Sequence, residues 1–340
     1  MLSAKDSLLR LLVRSLLLLL LACVLLVVFA YHQANKPLSM SASKVEFTIP
    51  PGSSLQVIAQ RIKLAGIGVK PDVLIWLARA TRKESKIKAG SYRVLHGINT
   101  WQLLGRLTEG DVIQEKIRLV EGLTLRQWRR RLNEHPRLRH DSVELDDAEL
   151  AARLGSSEIT LEGLLFPDTY LFDADSSDLD LLSRSYQQMR NKLDNAWRNR
   201  ADNLPYDSAY EALIMASIIE KETGRSSDRN KIAAVFVNRL QIGMLLQADP
   251  TVIYGLGKSF DGNLRKRDLL NDTPYNTYIR HGLPPTPIAM VSEASLRAAL
   301  HPADSDALYF VATGDGGSVF SRTLAEHNRA VDLYQRRRRH

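Results

Sequence analysis

The most apolar stretch of the chain lies near its N-terminus and approaches the length of a membrane-spanning helix. Residues 16–31 contain no charged side chain, and residues 11–13 extend the apolar tract on the other side of Arg14. Lys5 and Arg10 also precede the tract, whereas a single Lys36 follows it closely. A bilayer needs about 20 apolar residues, and the side rich in lysine and arginine stays in the cytoplasm. The pattern therefore predicts a cytoplasmic tail over 1–14 and a transmembrane helix over 15–34, with the remaining chain on the outer face.

Two other targeting signals compete with this prediction. A cleaved signal peptide needs a cleavage site between small residues, and the segments around Ala30 and Ala34 match such a site poorly. A lipoprotein signal would end at Cys23, but the chain stays apolar for eight residues after it. An uncleaved single-pass anchor therefore fits better than either signal.

Between residues 45 and 135 a pattern of strand, turn and helix occurs three times. Each copy has an alternating strand, a glycine that allows the turn, a helix-capping residue two positions later, and an apolar helical face. The copies are 47–62, 92–107 and 117–132, with glycines Gly52, Gly97 and Gly122, caps Ser54, Asn99 and Thr124, and aligned apolar residues Ile58, Leu103 and Trp128, then Ile62, Leu107 and Leu132. Such units are similar to LysM-type glycan-binding modules, although a structural spacer of capped helices would have the same pattern.

The strongest helical signal in the second half of the chain ends in two glutamates. One face carries apolar or small residues and then a carboxylate, at positions i, i+3, i+4 and i+7: Leu213, Ala216, Ser217 and Glu220. A carboxyl group against apolar surface is disfavoured as the anion, which suits a general acid that works near neutral pH. A carboxylate at the solvated end of a core helix would have the same spacing. Glu222 lies about 200° further round the helix, where it either tunes Glu220 or faces solvent.

The region 155–335 alternates predicted helices with loops rich in polar and aromatic residues. Helices are predicted over 178–200, 208–224 and 231–240, with Ser227 as the cap of the last one. The segment 247–254 offers several side chains that can hydrogen-bond hydroxyl and amide groups. The tail is predicted to form strands over 307–313 and 318–321 and a helix from Leu324. The fold class is therefore α+β: a transmembrane helix, small LysM-like strand–helix modules over 45–135, and a mixed α+β domain over 155–335.

Composition and charge favour an anionic partner. The chain has 340 residues and a formal net charge of +8, and its pI is about 9.5. Nucleic acid, anionic lipid and an anionic cell-wall polymer all suit this balance, but the predicted anchor places most of the chain outside the cytoplasm and argues against nucleic acid. Cys23 is the single cysteine, so no intramolecular disulfide can form and redox chemistry says nothing about the compartment.

The motifs of several other chemistries are missing. There is no H-E-x-x-H segment, and the histidines His281, His301 and His327 are far apart in sequence, so no metal is predicted. There is no G-x-S-x-G segment, and residues 257–259 lack the earlier glycine of a P-loop because position 252 is Val252. No cofactor is predicted. The chemistry that remains as a candidate is catalysis by carboxylates, among side chains that suit a glycan.

The motifs of the C-terminal region resemble those of the YceG/MltG-type endolytic murein transglycosylases, membrane-anchored enzymes of bacterial cell-wall assembly. The resemblance runs from the anchor to about residue 335. It rests on segments 162–163, 166–170, 216–223, 237–240, 247–255, 275–278, 282–285 and 326–328, of which A-S-I-I-E-K-E-T over 216–223 is the most specific. Two places depart from the family pattern. Ser318 follows the glycine-rich turn where a histidine is frequent, and Met290 begins the segment where Asn or a Pro-Gly turn is frequent. The resemblance therefore predicts no role for these two places.

The resemblance implies a lytic transglycosylase in which Glu220 is the catalytic residue. Glu220 would protonate the glycosidic oxygen between N-acetylmuramic acid and N-acetylglucosamine. It would then take a proton from the muramic acid 6-hydroxyl, which closes a 1,6-anhydro ring. Neither water nor an enzyme nucleophile is needed. The expected sugar and peptide contacts are Gln247, Asp249, Tyr254 and Asn276.

The resemblance also implies where the enzyme acts. The substrate would be nascent glycan at the periplasmic face of the inner membrane, where cleavage limits strand elongation and cell-wall synthases are possible partners. Two alternatives stay open: a non-catalytic membrane-anchored scaffold that binds peptidoglycan, and a hydrolytic muramidase. A second carboxylate facing Glu220, such as Asp168 or Asp249, would favour the hydrolase.

Overall fold

The computed structural model describes residues 2–336, which form a mixed α and β architecture of two compact units. Unit 1 comprises the chain up to Glu115 together with Leu171–Ser176. Unit 2 comprises Lys116–Tyr170 and the chain from Ser177 onward. The third strand–helix segment, 117–132, therefore belongs to unit 2, whereas the first two belong to unit 1.

Unit 1 begins with the long apolar helix, which is followed, up to residue 113, by two strands and three short α-helices. Its elements are α1 (Leu2–Asn35), β1 (Lys44–Ile49), α2 (Leu55–Leu64), α3 (Pro71–Ala80), β2 (Gly90–Leu95) and α4 (Thr100–Glu109). Within α1 the span Leu11–Asn35 contains an 18-residue window whose mean hydropathy is 3.0, and no part of that window is buried by the rest of the protein. It is long and apolar enough to cross a membrane, a property that a signal sequence shares.

The repeated pattern folds as its sequence predicts. The side chains of Ser54, Asn99 and Thr124 each accept a hydrogen bond from the backbone three residues on, as helix N-caps do. The preceding glycines have φ values of +74°, +94° and +72°, a region where an L side chain would be strained. All six aligned apolar residues are at most 4% exposed. The three segments thus share one local design, even though they lie in different units.

Strands β1 and β2 pair antiparallel and cover the core of unit 1. Val45 lies opposite Val94, and Phe47 lies opposite Tyr92 with the two rings stacked at 5.7 Å. The alternation of buried and exposed residues along β1 places every second side chain in the core.

Unit 2 is mainly helical. Its helices are α5 (Leu125–Asn133), α6 (Asp147–Arg153), α7 (Asp178–Arg198), α8 (Ala209–Glu222), α9 (Arg229–Gln241), α10 (Asp249–Leu256), α11 (Lys266–Leu269), α12 (Glu293–Leu300) and α13 (Leu324–Val331). The strands that follow β2 are β3 (Gln114–Leu119), β4 (Leu138–Arg139), β5 (Asp168–Asp173), β6 (Ser176–Ser177), β7 (Tyr309–Ala312) and β8 (Ser318–Ser321). Strand β3 pairs with β5, β4 with β6, and β7 with β8.

Helix α8 is the centre of unit 2. Every residue from Ala212 to Ile219 is buried, and the helix contacts α7, α9, α10 and α12. A helix that is apolar on all sides must be surrounded in this way. The predicted helix over 208–224 is thus confirmed to within two residues at each end.

Two local predictions differ from the structure. Residues 249–256 form helix α10, in which Pro250 occupies the first turn, where a missing N–H costs no helical hydrogen bond. Ser227 does not cap α9, because it lies within a short 3₁₀ turn and its hydroxyl bonds the carboxylate of Asp228. Asp228 takes the N-cap position without a side-chain capping bond.

Candidate active site

The predicted apolar face of α8 packs against the segment that leads into α12. The hydroxyl of Ser217 accepts a hydrogen bond from the amide of Ile288 at 3.0 Å. One helical turn later, Glu220 Oε2 accepts hydrogen bonds from the amide of Ser292 at 3.0 Å and from its hydroxyl at 2.5 Å. Ser217 and Glu220 therefore share one face, as the spacing predicts, and that face binds residues 288–292.

Glu220 has a clear structural task in this arrangement. Ser292 is the N-cap of α12, and its hydroxyl also accepts a hydrogen bond from the amide of Ser295. The carboxylate of Glu220 thus lies at the N-terminal end of α12, where the helix dipole favours negative charge. The resemblance predicts Glu220 to be the proton donor, and this stays a prediction; in the structure one of its oxygens lies in a hydrogen-bond network between two helices.

Glu222, the last residue of α8, has a different environment. It is half-buried, and burial raises the pKa of its carboxyl from 4.5 to about 7. The negative charge of Asp249 raises this pKa further, and the nearby Arg239 guanidinium opposes the rise. In the described part of the chain no hydrogen bond is made by the Glu222 carboxyl. A carboxyl with a pKa near 7 and unused oxygens has the properties of a general acid and base.

The groups around Glu222 come from three separate segments. Asp249 is the first residue of α10, is exposed, and accepts a hydrogen bond from the Tyr278 hydroxyl at 2.5 Å. Arg239 of α9 is 7% exposed and donates to the carbonyls of Leu308 and Leu246, each at 2.7 Å. Arg239 is therefore held in place near the carboxyl by its hydrogen bonds, while Asp249 is exposed and Tyr278 is half-buried.

Gln247 lies two residues before Asp249 in a strained backbone conformation. Its φ is +52°, in the left-handed region that costs a residue with a side chain about 1 kcal/mol or more. The backbone amide of Gln247 donates to the Thr277 carbonyl at 3.0 Å, and the side chain of Gln247 is exposed. The structure thus brings two of the predicted contacts, Gln247 and Asp249, to the start of α10, and Asp249 lies near Glu222.

The other two predicted contacts lie in different surroundings. The Tyr254 hydroxyl donates to Glu162 Oε2 at 3.1 Å, so it is already used within the protein. Asn276 is fully buried, and its amide donates to the carbonyls of Leu269 and Asn271 while its oxygen accepts from the amide of Tyr278. The side chain of Asn276 therefore holds the loop together through hydrogen bonds to its backbone. At this buried position it is not available for a direct contact with a sugar.

Glu162 is a buried acid that the sequence reasoning did not single out. It is 3% exposed, and both of its oxygens accept a hydrogen bond from the amide of Leu125 at the start of α5. Burial raises the pKa of Glu162 to about 7, although the bonds from Leu125 and Tyr254 act in the opposite direction. Its place in the segment Glu162-Gly163 was the available signal, since a charged residue among Leu161, Leu164 and Leu165 is unusual.

The two places that depart from the family pattern make backbone contacts. Met290 is fully buried, its amide donates to the Leu123 carbonyl, and its carbonyl accepts from the amide of Gly122, both at 2.8 Å. The amide of Ser318 donates to the carboxylate of Asp228 at 2.8 Å. Neither contact depends on the side chain that the position carries.

A metal centre is not formed by the residues that the structure describes, since no three His, Cys, Asp or Glu side chains come together in them as ligands would.

Comparison with known proteins gives consistent matches over most of the chain. The model of the YceG-like family matches residues 47–333. An endolytic murein transglycosylase of Bacillus subtilis (strain 168) is 35% identical over 312 residues, which are 86% of each chain. One from Streptococcus pneumoniae (serotype 2, strain D39) is 28% identical over 333 residues, with 87% of this chain and 59% of that protein covered. The crystal structure of a YceG-like protein from Listeria monocytogenes superposes with a TM-score of 0.53 at 33% identity, over 84% of this chain and 98% of that one.

Proposed function

Because the chain belongs to the YceG-like family, we propose that it is an endolytic murein transglycosylase, a lyase that cleaves peptidoglycan strands internally. The relatives named for this activity match along almost the whole chain. The single observation that carries the mechanism is the unbonded, half-buried carboxyl at the end of α8, whose pKa lies near 7. A transglycosylase needs one such group, since the attacking hydroxyl belongs to the substrate.

The proposed reaction uses one carboxyl first as an acid and then as a base. The protonated carboxyl donates to the glycosidic oxygen between N-acetylmuramic acid and N-acetylglucosamine, and the bond from that oxygen to C1 breaks. The resulting carboxylate takes the proton of the muramic acid 6-hydroxyl as its oxygen bonds C1. The carboxyl is thereby returned to its first state, and the product ends in a 1,6-anhydro ring.

We propose that this carboxyl belongs to Glu222 and that Glu220 is a positioning residue. The resemblance assigns the role to Glu220, but the oxygen of Glu220 that bonds Ser292 is already an acceptor of two hydrogen bonds. Glu222 has a pKa near neutrality and accepts none in the described chain. Gln247, Asp249 and Tyr278 are the proposed contacts to sugar or stem peptide. Asp249 and Tyr278 lie near Glu222, and the exposed Gln247 lies two residues before Asp249.

Two variants of the full chain test the assignment directly. Glu222→Gln keeps the shape of the side chain but cannot carry the proton, so we expect the loss of anhydro products from purified glycan strands, measured by mass spectrometry. Glu220→Gln keeps an oxygen for Ser292 and is expected to retain most of the activity. An inactive Glu220→Gln beside an active Glu222→Gln would return the catalytic role to Glu220. Thermal melting of both variants serves as the folding control.

The same products separate the alternatives. A non-catalytic scaffold would leave the strands intact. A muramidase would give reducing ends that are one water heavier than the anhydro ends, and Asp249 beside Glu222 is the second carboxylate that such a reaction would use.

The proposed location follows from α1. Its apolar span and the basic residues before it support a single-pass anchor with the N-terminus in the cytoplasm and both units on the periplasmic face of the inner membrane. The enzyme would then act on nascent strands near the membrane and limit their elongation, with cell-wall synthases as partners. The capped strand–helix modules of unit 1 are proposed to be LysM-like and to bind glycan. Reporter fusions at both ends of the chain would test the orientation.

A further inference from the structure

The C-terminal end of α1 is built into the core of unit 1. Ala34 in the last turn is 1% exposed and Leu38 is 8% exposed, and both pack in the apolar core. The amide of Leu38 donates to the Ile98 carbonyl at 2.8 Å, and Pro37 forms a β-bridge with Asn99. Since Asn99 is the N-cap of α4, the end of α1 has a fixed position beside the first turn of α4.

This connection fixes how far the first turn of α4 lies from the apolar span. Tyr31 ends the uncharged tract, and Ala34 follows three helical residues later, a rise of about 4.5 Å. The polar layer on each side of a bilayer is about 5 to 7 Å thick. With α1 in a membrane, which is part of the function proposed above, the surface around residues 34–38 and 98–101 lies within that layer.

An aromatic and a cationic side chain are exposed on this surface. Trp101, the second residue of α4, is 42% exposed, and the Lys83 ammonium lies 6.0 Å from the centre of its ring. Both line a groove with His96 and Arg106, and Glu109 is the acidic residue of that groove. Tryptophan prefers the interface between membrane and water, where its ring is in an apolar layer and its N–H stays hydrated.

We propose that Trp101 and Lys83 form a second membrane contact of unit 1, with the indole in the headgroup layer and the ammonium on the phosphates of anionic lipids. A single helix leaves the attached unit free to tilt relative to the bilayer. A second contact beside the end of that helix fixes the tilt of unit 1. An anionic bilayer is the proposed occupant of the groove. The groove adjoins the helix that is long enough to span a membrane, and Lys83 lies beside the exposed ring of Trp101.

Fluorescence quenching tests this contact in the full chain. The protein is placed in nanodiscs that contain phosphatidylglycerol and lipids brominated near the headgroup end of their acyl chains. We expect these lipids to quench a component of the tryptophan emission that is lost in Trp101→Phe and kept in the matched control Trp197→Phe, whose ring lies 4.0 Å from an arginine in unit 2. An unchanged quenched component in Trp101→Phe would overturn the proposal.

A second variant tests the charge. Lys83→Gln removes one positive charge, which is worth about 1 kcal/mol at an anionic surface, so the ratio of docked to undocked protein should fall about fivefold. The fall should be absent in zwitterionic nanodiscs. In a parallel measurement, purified glycan strands replace the brominated lipids. A change in the Trp101 emission caused by the strands would make the groove a glycan site and refute the lipid contact. Release of the chain from nanodiscs on gel filtration would refute the anchor and this contact together, whereas retention without quenching would refute the contact alone.

Discussion

The catalytic role proposed for Glu222 predicts that the activity depends on a neighbouring charge, because that charge contributes to the raised pKa of the carboxyl. Asp249→Asn removes the negative charge beside Glu222 and keeps nearly the same shape. The pKa of Glu222 should therefore fall, because a like charge no longer opposes ionisation. It should stay above the ordinary 4.5, since burial is the larger cause of the rise and is unchanged.

The size of the effect follows from the titration of one group. A carboxyl with a pKa of about 7 is half protonated at pH 7 and about one-tenth protonated at pH 8, whereas one at 4.5 would be about 0.3% protonated at pH 7. The difference between the two values corresponds to at most about 3 kcal/mol in favour of the protonated form. The kcat/KM of a reaction that needs the acid form should fall about tenfold for each pH unit above 7.

The assay is the release of anhydro products from glycan strands between pH 5 and pH 9. For Asp249→Asn we expect the falling limb to begin at a lower pH than in the wild type. A lost substrate contact would lower the rate at every pH without moving the limb, so the midpoint is the quantity that tests the reasoning. Asp261→Asn is the matched control, because Asp261 is an exposed carboxylate that pairs with Arg265. A limb that stays in place or moves to higher pH in Asp249→Asn would refute the coupling.

Three further predictions concern stability. Glu220→Ala removes the acceptor of two hydrogen bonds at the start of α12 and should lower the free energy of unfolding by about 2 kcal/mol in a denaturant titration; a loss no larger than that of Glu220→Gln would contradict this role. Gly163→Ala should lower the free energy of unfolding by about 1–3 kcal/mol more than Gly122→Ala does. Both glycines have positive φ, but only at Gly163 would the new Cβ clash, at 2.4 Å from Pro287 Cβ. Equal melting temperatures for the two variants would contradict this clash. Burial raises the pKa of Glu162 from 4.5 to about 7, so the native state binds more protons than the unfolded state in that window. Stability should thus fall by up to about 3 kcal/mol as the pH rises through it, and Glu162→Gln should flatten the pH dependence of the unfolding midpoint.

The features that sequence predicts well here are those set by neighbours in the chain. A glycine that allows a turn, a capping residue two positions later and an apolar helical face act within one helical turn of each other. All three copies of that pattern therefore form as expected, with Ile58, Leu103 and Trp128 in corresponding buried positions. The helix over 209–222 is predicted for the same reason, since a run of apolar residues flanked by polar ones defines it.

The site was harder to predict because its properties come from residues distant in sequence. Glu220 and Glu222 differ in environment because of Ser292, Asp249 and Arg239, which belong to three other parts of the chain. Nothing local distinguishes a carboxylate that bonds the N-cap residue of a distant helix from one that lies near another carboxylate. The burial of Asn276 was unpredictable for a related reason, because the sequence pattern of a polar loop residue is the same whether its amide meets solvent or buried carbonyls.

The last turn of α8 explains how one of its carboxyls can carry a proton while the backbone stays fixed. Glu220 bonds Ser292, Lys221 donates to the Gly122 carbonyl at 3.1 Å, and the Thr223 hydroxyl donates to the Ile219 carbonyl at 2.7 Å. Three of the four side chains from 220 to 223 are therefore hydrogen-bonded within the protein, to α12, to the turn before α5 and to the helix itself. Glu222 is the fourth, and within the described chain its carboxyl has no such bond. The proton carrier proposed here needs oxygens that the protein does not already use and neighbours that hold its backbone in place, and the hydrogen bonds of this turn are consistent with both needs.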